Sequence, residues 1–190
     1  MARSTSTSGR SIDAPRDAIA LLKQDHRTVS QLFEEFEKAD EEEQSAIAQR
    51  VCQLLTVHAQ IEEELLYPEA KEAFDGDEEN EDLVNEAAVE HGSAKELIAK
   101  IEGMSSGDEQ FKATVTVLGE YIKHHVKEEE KRGGIFSQIK DSDVDLKALG
   151  EQIAARKDEL MAEFGKSVIP APVTRSMTAK SIEQGQPIGA

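Results

Sequence analysis

The chain has 190 residues, of which 39 are acidic and 22 are basic, so its formal net charge is −17. This length suits one domain with short appendages, and a hydrophobic fraction of 38% suffices for a modest core. The negative charge argues against a nucleic-acid backbone or an anionic membrane surface as partner. No apolar run approaches the roughly 20 residues of a membrane span, and no signal sequence follows Met1, so we expect a cytoplasmic protein.

Helical periodicity is confined to the middle of the chain. Residues 1–12 are rich in Ser and Thr, and residues 166–190 hold three of the five prolines, so both segments are predicted to be disordered. Between them, apolar residues recur at steps of three and four, which predicts amphipathic helices. The predicted helices span, in chain order, residues 15–39, 42–73, 81–102, 108–131 and 144–164.

Several helix ends are marked by residues that start or stop helices. Asp13 is a candidate N-cap for the first helix, with Pro15 in its first turn. Pro68 lies inside the second helix and is expected to kink or break it just after Tyr67. Gly133 and Gly134 should end the fourth helix.

Four amphipathic helices with short connections fold most simply as an antiparallel, up-down four-helix bundle. The chain shows neither strand alternation nor a fixed-length repeat, so we predict an all-α fold. The bundle is expected to span residues 13–140. An accessory helix within residues 141–165 should pack on its outside or at one end.

Each of the four bundle helices carries one histidine within its own apolar stripe. In the first helix, for example, the stripe steps through positions 19, 22, 26, 29, 33 and 36. Two of the histidines are followed four residues later by a glutamate, which therefore shares the same face of the helix. The six residues are His26, His58, Glu62, His91, His125 and Glu129, here called the polar cluster.

Burying these six side chains would be costly without partners, and no Lys or Arg lies on the same stripes. Transition metals solve this problem because they bind neutral imidazole and ionised carboxylate. Six donors are too many for one tetrahedral zinc ion. They suit two metals, each bound by two histidines and bridged by both carboxylates. The donor types favour iron, with manganese and zinc behind it.

At these residues the sequence resembles the hemerythrin-like proteins that have an HHE cation-binding domain. The matching segments follow the family's order and read LLKQDHR at 21–27, HAQIEEELLYP at 58–68, VEH at 89–91 and HHVKEEE at 124–130. The resemblance implies a non-haem di-iron centre with carboxylate and oxo or hydroxo bridges. It implies small oxidants, namely dioxygen, hydrogen peroxide or nitric oxide, as partners, and it carries the polar cluster over as the metal ligands.

Two departures from the family pattern bear on the activity. The oxygen-carrying members have a second histidine one turn away on the third helix, where this chain has Ala87 and Lys95. After Glu129 the chain reads EKRGGIF, so the helix is expected to end sooner and to leave the site more open. Both departures disfavour reversible oxygen carriage and favour redox, peroxide or nitric-oxide chemistry, or sensing.

Some assignments stay open at this level. His124 and Glu128 are alternatives to their neighbours His125 and Glu129 as ligands. Tyr67 either lines the pocket or fills the core, and the core is preferred. Two other functions compete with oxidant chemistry: an iron-storage or iron-buffering module without turnover, and a purely structural helical module.

Overall fold

The computed structural model describes residues 17–164, so the predicted disorder of residues 1–12 and 166–190 lies outside it. Every element in the described part is a helix, which confirms the all-α prediction. The elements are α1 (Ala18–Phe36), α2 (Glu41–Ile61), a π-helical turn (Glu62–Leu66), α3 (Tyr67–Ala73), α4 (Glu78–Glu102), α5 (Phe111–Glu130), α6 (Ile135–Lys140) and α7 (Leu146–Phe164).

Helices α1, α2, α4 and α5 form the antiparallel bundle. Two contacts show that α1 and α5 run antiparallel. His26, midway along α1, contacts Glu130 at the C-terminal end of α5, whereas Glu37, just after α1, accepts a hydrogen bond from Thr116 near the N-terminal end of α5. A four-residue turn reverses the chain between α1 and α2, where the Gln44 side chain donates to the Phe36 carbonyl at 3.1 Å.

The N-termini of α1 and α2 are set by aspartate caps. The carboxylate of Asp17 accepts the backbone N–H of Ala20 at 2.8 Å, so α1 begins at Ala18, later than the predicted start at Pro15. The predicted cap Asp13 lies outside the described residues. Asp40 and Glu43 form a capping box at the start of α2, which satisfies two backbone donors reciprocally.

Pro68 reshapes the second long helix upstream of itself. Of the kink or break predicted just after Tyr67, the break does not occur. The five residues before Tyr67 form a π-helical turn, in which the Tyr67 N–H bonds to the Glu62 carbonyl. A proline in a regular α-helix clashes with the carbonyl four residues before it, and a wider turn relieves that clash. The chain then continues as α3 without a gap.

The bundle has two apolar clusters with a polar layer between them. One cluster includes Leu22, Ile61 and Phe136, and the other includes Val29 and Leu118. The polar cluster lies at the level where these two meet, because each histidine interrupts the apolar stripe of its own helix.

The accessory helix is α7, which packs against α1, α2 and the π-helical turn on the outside of the bundle. Its inward face is buried through Leu149, Ile153 and Leu160. Across residues 17–164, none of the helices is both long enough and apolar enough to cross a bilayer.

Candidate metal centre

The structure brings all six residues of the polar cluster together in the core. Each of the six residues is at most 5% exposed. Their donor atoms fall into two groups that share one carboxylate, with all donor atoms of a group within 4.8 Å of one another. The first group holds His26, His58, Glu62 and Glu129, and the second holds Glu62, His91 and His125.

The histidines form two pairs whose inward nitrogens nearly touch. The Nε2 atoms of His26 and His58 lie 3.1 Å apart, and those of His91 and His125 lie 3.2 Å apart. Two imidazole nitrogens at about 2.0–2.1 Å from one ion, at angles near 90–110°, would be separated by about 2.9–3.4 Å. Each pair therefore has the spacing of two ligands of a common metal.

The two glutamates join the histidine pairs. Oε2 of Glu62 lies 3.2 Å from Nε2 of His58 and 3.4 Å from Nε2 of His91. Oε2 of Glu129 lies 3.4 Å from Nε2 of His26 and 3.6 Å from Nε2 of His125. Each carboxylate thus spans from one pair to the other, and the site has an approximate two-fold symmetry that relates α1 and α2 to α4 and α5.

Several of these atoms lack hydrogen-bond partners. Both carboxylate oxygens of Glu62 and Oε2 of Glu129 are buried with no donor bonded to them. A buried charged oxygen without a donor is strongly unfavourable in a protein core. Bound cations would remove this cost, so the donor set fits metal binding.

A carboxylate faces the outward nitrogen of every histidine in the cluster. The Nδ1-to-carboxylate distances are 2.8 Å for His26 to Glu130, 3.1 Å for His91 to Glu63, 2.7 Å for His125 to Glu90 and 3.7 Å for His58 to Asp25. We call Asp25, Glu63, Glu90 and Glu130 the outer carboxylates. An Nδ1–H that donates to a carboxylate leaves the Nε2 lone pair directed into the cluster, as metal binding requires.

From the sequence alone, Glu63 and Glu130 are expected on solvated faces, with at most a role in orienting a histidine. Each outer carboxylate is adjacent in sequence to a member of the polar cluster, and this adjacency was the available signal. The partner is on another helix, however: Asp25 precedes His26 but faces His58. Neighbouring residues on a helix point about 100° apart, so the two side chains meet different neighbours.

Burial and neighbouring charges shift the pKa values of the side chains inside the polar cluster. Burial by itself would lower the pKa values of His58 and His91, but the nearby carboxylates outweigh it and raise them to about 10 and about 9. Burial favours the neutral form of Glu62, yet these two histidines hold its pKa well below the usual range. Burial and the charge of Glu62 raise the pKa of Glu129 to about 7. Without metal, protons on imidazole partly take the place of the cations.

An aromatic ring covers one histidine of each pair. Tyr67 stacks on His91 with ring centroids 5.3 Å apart, and its hydroxyl donates to Oε1 of Glu129 at 3.2 Å. Phe136 stacks on His26 at 5.5 Å with the ring planes 8° apart. The preferred interpretation of Tyr67 as a core residue was incomplete, because the ring is buried but the hydroxyl reaches the polar cluster.

The site was expected to be more open after Glu129. On the side of His26 this expectation is wrong, because Phe136 covers the histidine. Helix α5 ends at Glu130, and the chain turns sharply at Gly134, where a Cβ atom would lie 2.2 Å from the Glu128 carbonyl. This turn directs α6 back over the bundle and buries Phe136 against the site. A surface cleft of about 720 Å³ does reach Glu129 from the other side, between α4 and α5.

The alternative ligands lie away from the centre. The side chain of His124 is 62% exposed and approaches only the outer carboxylate Glu90, at 3.7 Å. Glu128 pairs with Lys131 at the surface. Of the positions that replace the family's additional histidine, Ala87 is buried in the apolar core and Lys95 pairs with Glu63.

Comparison with known proteins agrees with this architecture. A chain that contains the hemerythrin HHE cation-binding domain, from Mycobacterium kansasii, superimposes with a TM-score of 0.64 and 21% identity over 78% of this chain and 89% of its own. The chain is also 26% identical, over 156 residues, to a protein from a Nostoc species; that protein is named DNA nickase. That match covers 80% of this chain but only 42% of the Nostoc protein. The hemerythrin HHE cation binding domain matches residues 17–132, so the chain belongs to this family and is a metal-binding helical protein.

Proposed function

We propose that the polar cluster binds two iron ions and that the resulting centre reacts with small oxidants, namely dioxygen, hydrogen peroxide or nitric oxide. One observation carries this proposal. The four histidines form two pairs, with Nε2 atoms 3.1 Å apart in one and 3.2 Å apart in the other, and the carboxylates of Glu62 and Glu129 each contact both pairs. Four imidazoles and two carboxylates form a mixed nitrogen and oxygen donor set, which suits iron better than a thiolate-preferring metal. Bound iron supplies redox chemistry that no side chain in the cluster provides.

The surroundings of the cluster favour small reactants. A cavity of about 20 Å³ lies against the four histidines, on the side of Val29, Ala94 and Ile122. A space of this size holds about one water-sized molecule and is too small for an organic substrate. We therefore propose selection of the reactant by size, with the apolar wall limiting access of bulk water.

Tyr67 places a hydrogen-bond donor at the edge of the site. Burial, together with the charge of Glu62, raises the pKa of its phenol, so the hydroxyl stays protonated at neutral pH. It donates to Oε1 of Glu129 at 3.2 Å and lies 3.2 Å from Nε2 of His91. We propose that this hydroxyl, through its single hydrogen, orients Glu129.

DNA cleavage is not part of this proposal, although one relative is named a DNA nickase. This chain spans 42% of that relative, and its formal net charge is −17. The cleft that reaches Glu129 is lined by acidic residues, among them Asp82, Glu86 and Glu90. Such a surface repels a phosphate backbone.

The decisive experiment reconstitutes the metal-free protein with Fe²⁺ under anaerobic conditions. We expect about two irons per chain, followed by a change in the absorption spectrum and consumption of the oxidant when oxygen, peroxide or nitric oxide is added. Iron that binds without any oxidant consumption would favour the storage or buffering function instead. A protein that binds no metal after reconstitution would favour the structural module and contradict the proposal.

A further inference from the structure

We propose that Lys157, on the accessory helix α7, is a positioning residue of the metal centre that acts through Asp25 on His58. The inference rests on the proposed metal centre and extends it beyond the segment that matches the family, which ends at residue 132. It assigns α7 a role in metal binding in addition to its packing on the bundle.

The contact chain runs from the surface of α7 into the core. The ammonium group of Lys157 donates to Oδ1 of Asp25, and the other oxygen of that carboxylate lies 3.7 Å from Nδ1 of His58. The Asp25 side chain is 14% exposed. Among residues 17–164, Lys157 and His58 are the two charged or titratable groups placed against Asp25. Without Lys157, the carboxylate would be free to turn towards solvent and away from the histidine.

His58 is the histidine that depends most on such support. Among the four histidines of the polar cluster, it alone has a buried Nδ1 without a hydrogen-bond partner. The other three hold their outer carboxylates at 2.7 to 3.1 Å. At 3.7 Å, Asp25 is beyond direct hydrogen-bond distance, so its influence on His58 depends on where Lys157 keeps it.

Two of the other three outer carboxylates pair with lysines of the bundle helices. Lys23 of α1 lies 3.0 Å from Glu130, and Lys95 of α4 pairs with Glu63. Both lysines belong to the matched segment, whereas the support of Asp25 comes from α7. The position of Lys157 is fixed because Ile153 and Leu160, on the same helix, are buried in the core. The lysine that pairs with Asp25 therefore comes from a fifth helix, whereas the lysines that pair with Glu130 and Glu63 come from bundle helices.

Arg156 offers a matched control on the same helix. It forms an ion pair with Glu64 in the π-helical turn, and Glu64 faces none of the four histidines. Lys157→Gln and Arg156→Gln each remove one positive charge and one ion pair between α7 and the bundle. A general charge effect would strengthen cation binding in both variants, because the protein becomes more negative. Positioning through Asp25 predicts weaker binding in Lys157→Gln alone.

The test measures Fe²⁺ affinity of the full chain by anaerobic competition with a chromophoric chelator, together with the melting temperature of the metal-free protein. We expect Lys157→Gln to weaken binding about tenfold, near the lower end of the effects seen when outer partners of metal ligands are removed. Arg156→Gln should stay within about twofold of the unaltered protein, and Lys157→Arg should retain most of the affinity. Both glutamine variants should have similar melting temperatures without metal.

A double mutant keeps the proposal testable even if one variant folds poorly. Asp25→Asn should weaken Fe²⁺ binding at least as much as Lys157→Gln, and adding Lys157→Gln to it should cause little further loss, because both act on His58 along one path. Equal affinities in Lys157→Gln and the unaltered protein, or additive losses in the double variant, would overturn the inference while leaving the proposed function intact. An unaltered protein that binds no Fe²⁺ would refute the proposed function itself.

Discussion

Phe136 lies nearly parallel to the imidazole of His26, with ring planes 8° apart and centroids separated by 5.5 Å. On the opposite side of the approximate two-fold axis, Tyr67 covers His91 in a similar way. The two halves of the site therefore share their geometry but differ in chemistry. One half is closed by a hydrocarbon ring, and the other by a ring that carries a hydrogen-bond donor to Glu129.

Replacing Phe136 with Ala should open the site next to His26. Loss of a fully buried phenyl ring typically lowers the free energy of unfolding by about 3–5 kcal/mol. We also expect bound metal to pass to an external chelator several-fold faster, because the ring shields the cluster. Phe111→Ala is the control: Phe111 is equally buried but lies in the other apolar cluster. Equal rates of metal transfer from the two variants would show that Phe136 has no shielding role.

Tyr67→Phe should preserve the packing of the ring and remove the donor to Glu129. Oε1 of Glu129 would then be buried without its donor, which should lower the free energy of unfolding of the metal-free protein by about 1–3 kcal/mol. Oxidant consumption by the iron-loaded protein should also slow. Tyr121→Phe, which alters the other, half-buried tyrosine, should change neither value. Urea unfolding and peroxide assays measure the two effects, and unchanged results for Tyr67→Phe would argue against the proposed hydrogen bond.

His58→Ala and Glu62→Ala should lose metal and lower the melting temperature of the loaded protein together. Metal that binds only the native state stabilises it by about 2.7 kcal/mol when its concentration is a hundredfold above the dissociation constant. His124→Ala should keep its metal, because that side chain is exposed. Elemental analysis and thermal melts with and without a chelator test the pattern. Full metal content in the first two variants would exclude them as ligands.

The metal-free protein should lose stability in alkali. The pKa values of about 10 for His58 and about 9 for His91 exceed the unfolded value near 6.5. Their contribution is therefore complete below pH 6.5 and disappears as the pH rises through 9 and 10. Between pH 6.5 and about pH 10, we expect the free energy of unfolding to fall by an amount on the order of a few kcal/mol. The metal-loaded protein should show no such loss, because its imidazoles are already deprotonated. A flat stability profile of the metal-free protein would contradict the charged pairing described here.

The helical periodicity of the sequence determined the fold class and the polar cluster. A histidine that occupies a stripe position in each of four helices is buried in whatever bundle those helices form, and a glutamate four residues later shares its face. These relationships are local to one helix. For this reason, the four histidines, Glu62 and Glu129 were identified from the sequence without knowledge of how the helices pack.

The tertiary structure decided every relationship that passes from one helix to another. Asp25 supports His58 and not its neighbour His26, Phe136 returns over the site after the turn at Gly134, and Lys157 reaches the bundle from α7. Periodicity says which way a side chain points from its own helix, but it carries no information about which residue of another helix stands opposite. That pairing depends on helix order, on the lengths of the connections and on the π-helical turn, and it is settled only when the chain packs.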